Sequence, residues 1–173
     1  MALDYFKAIF VDLQGHCEGE GVTKIELLKY ANLPGVIGDR LFAIMDTNRN
    51  GKIDFREFVT TFYRIFCSSP DQHFKVAFDL FDFDRNGKLT RDEVQIVLSY
   101  VPLDSGFTPA ESKAQSPTAR LEVQQEINDI LDNLFGNDET IDFETFKQRN
   151  EEVASDSMLL VMSTIKQCLP CTG

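Results

Sequence analysis

The chain has 173 residues, 43% of them apolar and 26% charged, with a formal net charge of −11 and a pI near 4.6. This length suffices for one compact domain or two small lobes, each with its own core. The acidic balance excludes the classes that grip nucleic-acid phosphates with lysine and arginine. No stretch approaches the roughly twenty apolar residues of a membrane span. The opening residues include Asp4 and lack the basic start and apolar run of a secretory signal. Cys17, Cys67, Cys168 and Cys171 are dispersed rather than framed for disulfides, which suits reduced thiols in a cytoplasmic protein.

In chain order, Leu3, Phe6, Ile9, Phe10 and Leu13 recur at steps of three and four and predict a helix over 3–13. A glycine-rich stretch (15–21) follows. Thr23 and Glu26 then have the spacing of a capping box that opens a second helix, ended by Pro34-Gly35. A third helix over 36–45 carries Ile37, Leu41, Phe42 and Met45 on one face and runs into Asp46–Glu57, DTNRNGKIDFRE. Phe55, Phe58, Val59, Phe62, Ile65 and Phe66 predict the helix after it. Ser69-Pro70 has the form of an N-cap followed by proline at the first helical position. The helix it opens carries Phe74, Phe78 and Phe81 and leads into Asp82–Glu93, DFDRNGKLTRDE. Val94, Val97, Leu98 and Val101 mark its successor. Residues 102–117, with Pro102, Gly106, Pro109 and Pro117, predict a linker longer than usual. It is either a tolerated surface insertion or a contact or regulatory segment, with Ser116 as a Ser-Pro phosphorylation site. Helical spacing resumes with Ile127, Ile130, Leu131, Leu134 and Phe135. A last helix over 156–169 carries Met158, Leu159, Leu160, Val161, Met162, Ile165, Cys168 and Leu169, too apolar for one exposed face. It is expected either to pack on the C-terminal lobe or to plug a target groove and leave when a partner helix arrives.

The two quoted segments both fit D-x-[DN]-x-[DN]-G-x5-E. The spacing has a chemical reason. Calcium is a hard cation that takes six to eight oxygens, and a loop wrapped around it presents one at every second position. Asp46, Asn48 and Asn50 fill positions 1, 3 and 5, the Lys52 carbonyl position 7, Asp54 position 9 and bidentate Glu57 position 12. Asp82, Asp84, Asn86, Lys88, Thr90 and Glu93 repeat the set. Gly51 and Gly87 supply the sharp turn at position 6. Two further loops have lost their ligands. In the first, Val22 stands at position 8 and Glu26 at position 12, without the oxygen ladder between. In the last, Ile-Asp-Phe-Glu-Thr-Phe (141–146) mirrors Ile-Asp-Phe-Arg-Glu-Phe (53–58), which puts Leu134 at position 1, Glu139 in place of the glycine and Thr145 in place of the bidentate glutamate. The apolar residues at position 8, Val22, Ile53, Leu89 and Ile141, predict short β-bridges between paired loops.

On these motifs the chain, from about residue 3 to 168, resembles the four-EF-hand calcium sensors, and among them the calcineurin B and neuronal calcium sensor branch. It departs from that branch in having Ala2 after Met1, without the myristoyl-accepting glycine, and in its broken fourth loop. The resemblance implies an all-α EF-hand fold with two paired-hand lobes, short β-bridges between loops and an extra C-terminal helix. The first lobe would span 1–67 (degenerate hand 1, competent hand 2). The second would span 70–153 (competent hand 3, degenerate hand 4, with the linker 102–117), and the C-terminal helix 155–169. Two calcium sites are expected, open to magnesium at rest. The implied function is a sensor or regulatory subunit that exposes an apolar groove and binds an amphipathic helix of a target protein. The alternatives are the calcium-binding region of a longer polypeptide and a calcium buffer. No enzymatic activity is expected, since His16 and His73 lie in no nucleophile or metal motif. Nucleic acid is not an expected partner, and membrane contact is expected only through lipidation of the tail.

Overall fold

The structure is a computed structural model that describes residues 2–15, 17, 19–31, 33, 35–101, 117–152 and 156–168. His16, the linker residues 102–116 with Ser116, and the Cys171 end of the tail lie outside the described residues, as do the side chains of Met158, Leu159, Leu160 and Cys168. In chain order the described elements are α1 (Ala2–Gln14), β1 (Val22–Thr23), α2 (Lys24–Ala31), α3 (Gly35–Met45), β2 (Lys52–Ile53), α4 (Phe55–Phe66), α5 (Pro70–Phe81), β3 (Lys88–Thr90), α6 (Arg91–Leu98), α7 (Pro117–Phe135), β4 (Thr140–Asp142), α8 (Phe143–Glu152) and α9 (Asp156–Cys168). This is the expected all-α EF-hand fold.

Each strand is the last part of a loop, and the strands pair two by two. β1 runs antiparallel to β2 with Val22 opposite Ile53, and β3 antiparallel to β4 with Leu89 opposite Ile141. All four residues are buried, so the bridges form at the apolar position 8 as expected. The helices that leave the two intact loops are capped from within those loops. Asp54 and Thr90 are N-caps whose side chains accept from the Glu57 and Glu93 amides, and each glutamate accepts in turn from the cap amide. Such reciprocal capping satisfies two amides that a helix start otherwise leaves unpaired.

One boundary differs from expectation. The sequence predicts a linker up to residue 117 and helical spacing from Ile127, but α7 begins at Pro117. Proline fits the first helical position because its missing N–H would have had no partner there. The first part of α7 is polar apart from exposed Leu121, so it shows no apolar stripe until Val123, Ile127, Ile130, Leu131 and Leu134, all buried.

The chain divides into two compact units, one of residues up to Val76 with those from Ile165 onward, the other of Ala77–Thr164. In the first, α1 and α4 share a phenylalanine cluster. Phe58 and Phe62 stack with ring centroids 3.9 Å apart, and Phe10 lies 5.2 Å from Phe58. In the second, Phe146 meets Phe78 at 5.6 Å and Phe81 at 6.0 Å, both edge to face, a favoured arrangement of ring quadrupoles. Ten of the 15 phenylalanines are buried among the described residues, so most of them are core. No helix of the described residues is long and apolar enough to cross a membrane.

His73, on α5, has a buried Nε2 without a hydrogen-bond partner. Burial, and then the charge of Lys166, hold its pKa below the usual 6.5, against a hydrogen bond with the Ile65 backbone that pulls it up. The unfolded chain therefore takes up this proton first. The stability His73 contributes is full above the unfolded value and is lost as pH falls towards the folded one. Urea midpoints of the calcium-free protein, compared between about pH 7.5 and about pH 5, should drop less for His73→Gln than for the wild type. Equal drops would remove the histidine from the pH dependence.

Candidate metal sites

In the loop between α3 and α4, Asp46 turns both carboxylate oxygens onto the loop backbone. Oδ1 accepts from the Asn50 amide at 3.0 Å and Oδ2 from the Gly51 amide at 2.9 Å. Asn48 Oδ1 accepts from the Asn50 amide at 2.9 Å, and Asn50 Oδ1 from the Lys52 amide at 2.8 Å. These short side chains fold back on the amide two residues ahead, as asparagine and aspartate do in turns. Glu57 closes the ring. Its Oε1 accepts from the Thr47 amide at 3.0 Å, the Thr47 hydroxyl at 2.8 Å and the Asn48 amide at 3.2 Å, while Oε2 accepts from the Asp54 amide at 3.1 Å. Burial acts to raise the Glu57 pKa, but the hydrogen bonds from Asp54, Thr47 and Asn48 outweigh it and hold the carboxyl below its usual value. It is therefore poised as a carboxylate.

The loop between α5 and α6 repeats this frame. Asp82 accepts from the Asn86 amide at 3.1 Å and the Gly87 amide at 3.0 Å. Asn86 Oδ1 accepts from the Lys88 amide at 2.7 Å. Glu93 joins the loop's ends, accepting from the Phe83 amide at 3.0 Å and from the Thr90 amide at 2.9 Å. Asp82, Asp84 and Glu93 offer oxygens that all lie within 4.8 Å of one another. Both loops enter the left-handed region at the same two positions, Arg49 and Arg85 at φ 58° and Gly51 and Gly87 at φ 80° and 78°. A Cβ at either glycine would meet nothing within 4 Å, so the demand for glycine is conformational rather than steric. An oxygen-rich, carboxylate-bearing loop of this form fits a hard divalent cation such as calcium.

The other two loops lack the oxygen ladder. Glu26 accepts from the Thr23 amide and hydroxyl at 2.7 Å each, the same cap that Glu93 makes with Thr90, so what sets the first loop apart is the residues between Gly15 and Gly21. Cys17 donates to the Leu13 carbonyl at 3.2 Å. Burial, aided by the hydrogen bond and charge of Glu26, pushes its thiol up to about 11, which leaves it protonated and unreactive at neutral pH. In the last loop α7 runs on through Leu134 and Phe135, both fully buried, and stops at Gly136, whose amide donates to the Asp132 carbonyl at 2.8 Å and whose φ is 55°. The side chain at position 1 is thus core. Asp142 keeps its capping role, accepting from the Thr145 amide at 2.9 Å. Hydrogen bonds with Thr145 hold its carboxyl below the usual range.

All twelve residues singled out from the motif lie in the two loops that carry this frame. Three residues that the motif does not specify join them. Thr47 adds a hydroxyl to Glu57. Arg91 and Arg149 bind the last loop, Arg91 through Asp132 and the Gly136 carbonyl, Arg149 through Asp138 and the Leu134 carbonyl. The available signal for Arg149 is a basic residue in the exit helix of a loop whose ligands are lost; Arg91, in the exit helix of an intact loop, has none.

The sequence matches the EF-hand domain family over residues 73–104 and the EF hand family over residues 37–63. It is 30% identical over 141 residues to a calcium and calcium/calmodulin-dependent serine/threonine-protein kinase of Lotus japonicus, a match covering 80% of this chain and 25% of the kinase. A recoverin family protein of Dictyostelium discoideum is 33% identical over 76 residues, 43% of this chain and 34% of that protein. The calcineurin B protein of Candida glabrata is 29% identical over 143 residues, 78% of this chain and 75% of that protein. The chain thus spans a quarter of the kinase and about a third of the recoverin relative. Two helix–loop–helix units with intact oxygen ladders, two more joined to them by β-bridges, and these relatives together make the chain an EF-hand calcium-binding protein resembling the calcineurin B and neuronal calcium sensor branch.

Proposed function

We propose that the chain is a calcium sensor or regulatory subunit with two metal sites. Asp46, Asn48, Asn50, the Lys52 carbonyl, Asp54 and Glu57 would hold one ion. Asp82, Asp84, Asn86, the Lys88 carbonyl, Thr90 and Glu93 would hold the other, and magnesium would compete for both at rest. The observation that supports this most directly is the convergence of Asp82, Asp84 and Glu93 on one point, within a hydrogen-bond frame repeated around Asp46 and Glu57. Bound calcium supplies a compact double positive charge that these oxygens neutralise. Glu57 and Glu93 sit in the first turns of α4 and α6, so each helix follows any shift of its carboxylate towards the start of its loop. A reorientation of this kind opens an apolar groove in sensor EF-hands, and an amphipathic target helix is the partner such a groove accepts. A lining of phenylalanine rather than flexible methionine favours one or a few targets. The proposed setting is the cytoplasm.

Calorimetric calcium titration in physiological magnesium, with apolar-dye fluorescence followed in parallel, tests this reading. Two sites in the sensor range of about 10⁻⁷–10⁻⁵ M, with dye binding that rises as they fill, are expected. Tight or magnesium-filled sites with flat dye fluorescence would replace the sensor by a buffer or a structural role.

A second reading, a calcium-binding region within a longer polypeptide, is favoured by the kinase match, which takes in most of this chain but a quarter of the kinase. An open reading frame that continues past Gly173 in the transcript would support it, and an in-frame stop there would count against it.

A further inference from the structure

We propose that Arg149 is the resident cation of the fourth loop: its guanidinium, rather than a metal ion, closes that loop and keeps β4 in place as the partner of hand 3. The loop's own sequence creates the need. With Leu134 and Phe135 drawn into α7, the carbonyl-rich C-terminal end of that helix lies beside Asp138, which stands at the fifth loop position. A helix C-terminus carries partial negative charge and favours a cation. Arg149, on α8, answers both groups with separate nitrogens. Nη1 donates to the Leu134 carbonyl at 3.0 Å and Nη2 pairs with Asp138 Oδ2 at 2.5 Å.

Gly136 gives the guanidinium its place. A Cβ there would lie 3.0 Å from Arg149 Nη1, so a larger residue would press the guanidinium a few tenths of an ångström off its place, quite apart from the strain of its positive φ. Arg91, at the start of α6, holds the other side of the same turn. It donates to Asp132 at 2.7 Å and to the Gly136 carbonyl at 2.8 Å, with its guanidinium carbon 5.5 Å from the Phe135 ring centroid. The turn is thereby clamped by one arginine from each hand of the pair. Guanidinium stays charged at every pH a cell reaches and presents fixed, fork-like donors. Order imposed in this way does not rise and fall with calcium. Since β4 pairs with β3 from Lys88↔Asp142 to Thr90↔Thr140, hand 3 meets a β-partner that is already in register. Arg149 is therefore a positioning residue, and its effect on calcium rests on the function proposed above for Glu93 and its loop.

Amide hydrogen exchange of the calcium-free protein is the first test, because it needs no metal. Charge-assisted hydrogen bonds of this kind are worth enough that exchange at residues 136–142 should quicken about tenfold in Arg149→Gln and in Asp138→Asn, and less in Arg149→Lys. Asp138 is half exposed, so Asp138→Asn tests the clamp even if Arg149→Gln folds poorly. Calcium titration of the same proteins should show hand 3 weakened severalfold by Arg149→Gln and partly rescued by lysine, with helix content unchanged. Exchange at the wild-type rate in both Arg149→Gln and Asp138→Asn would overturn the proposal, and so would quickened exchange with hand 3 affinity untouched. If the wild type itself takes up no calcium at hand 3, the metal reading fails while the exchange result still decides the clamp.

Discussion

Glu93→Gln is expected to remove one of two calcium-binding events from a calorimetric titration and to leave the other in place. The glutamine keeps an oxygen that can accept from the Thr90 amide, as Glu93 does at 2.9 Å, so α6 retains its cap and the unit its fold. The change removes one of the three carboxylates that converge in the loop, Asp82, Asp84 and Glu93, together with the second anionic oxygen of a bidentate ligand. For a hard cation that binds by oxygen count and charge, we expect affinity at that loop to weaken by about 100-fold, close to 3 kcal/mol. Glu57→Gln should do the same to the other event, and the double variant should lose both, along with any calcium-dependent dye binding. A titration of Glu93→Gln that still shows two events of unchanged affinity would sink the assignment of this loop.

The second large effect lies in the core of the first unit. Phe58 is 1% exposed, stacks on Phe62 at 3.9 Å and meets Phe10 at 5.2 Å. It also follows directly on the capping turn Asp54–Glu57, near the start of α4. Phe58→Ala removes an aromatic ring from a close-packed site, and such truncations cost about 3–5 kcal/mol when the neighbours cannot collapse into the space. Against the total stability of about 5–15 kcal/mol usual for a folded protein, this is a large share, and the calcium-free urea midpoint of the first unit should fall accordingly. Urea denaturation followed by circular dichroism, calcium-free, gives the value. A loss of less than about 1 kcal/mol would mean that the surrounding rings refill the cavity.

The fold was legible where its cause is local. Alternate oxygen-bearing side chains, a glycine at the turn and a glutamate at the close are set by contacts within twelve positions, so both intact loops could be written down from the chain. The β-bridges were legible because an apolar residue in a polar loop must find another, and Val22 with Ile53 and Leu89 with Ile141 do so. The start of α7 was not, because the polar segment after Pro117 carries no apolar stripe to betray a helix. Glu26 has the spacing of a twelfth-position ligand as well as of a cap residue. The structure shows the cap on Thr23, in the form Glu93 takes with Thr90, while Cys17 beside it is held as a thiol.

Residue types and their spacing were therefore enough to mark the two loops and the four-hand organisation, since ligand chemistry depends on which oxygens recur along a short stretch of backbone. Tertiary structure alone decided how the fourth loop closes and what surrounds His73. Arg149 finds the Leu134 carbonyl only because α7 ends where it does and α8 folds back beside it. His73 has a buried nitrogen only because its helix is packed, with the charge of Lys166 acting on it from far along the chain. Such partners are backbone groups or distant charges, which carry no signature in the residues that meet them, and their free energies exist only once the helices have been brought together.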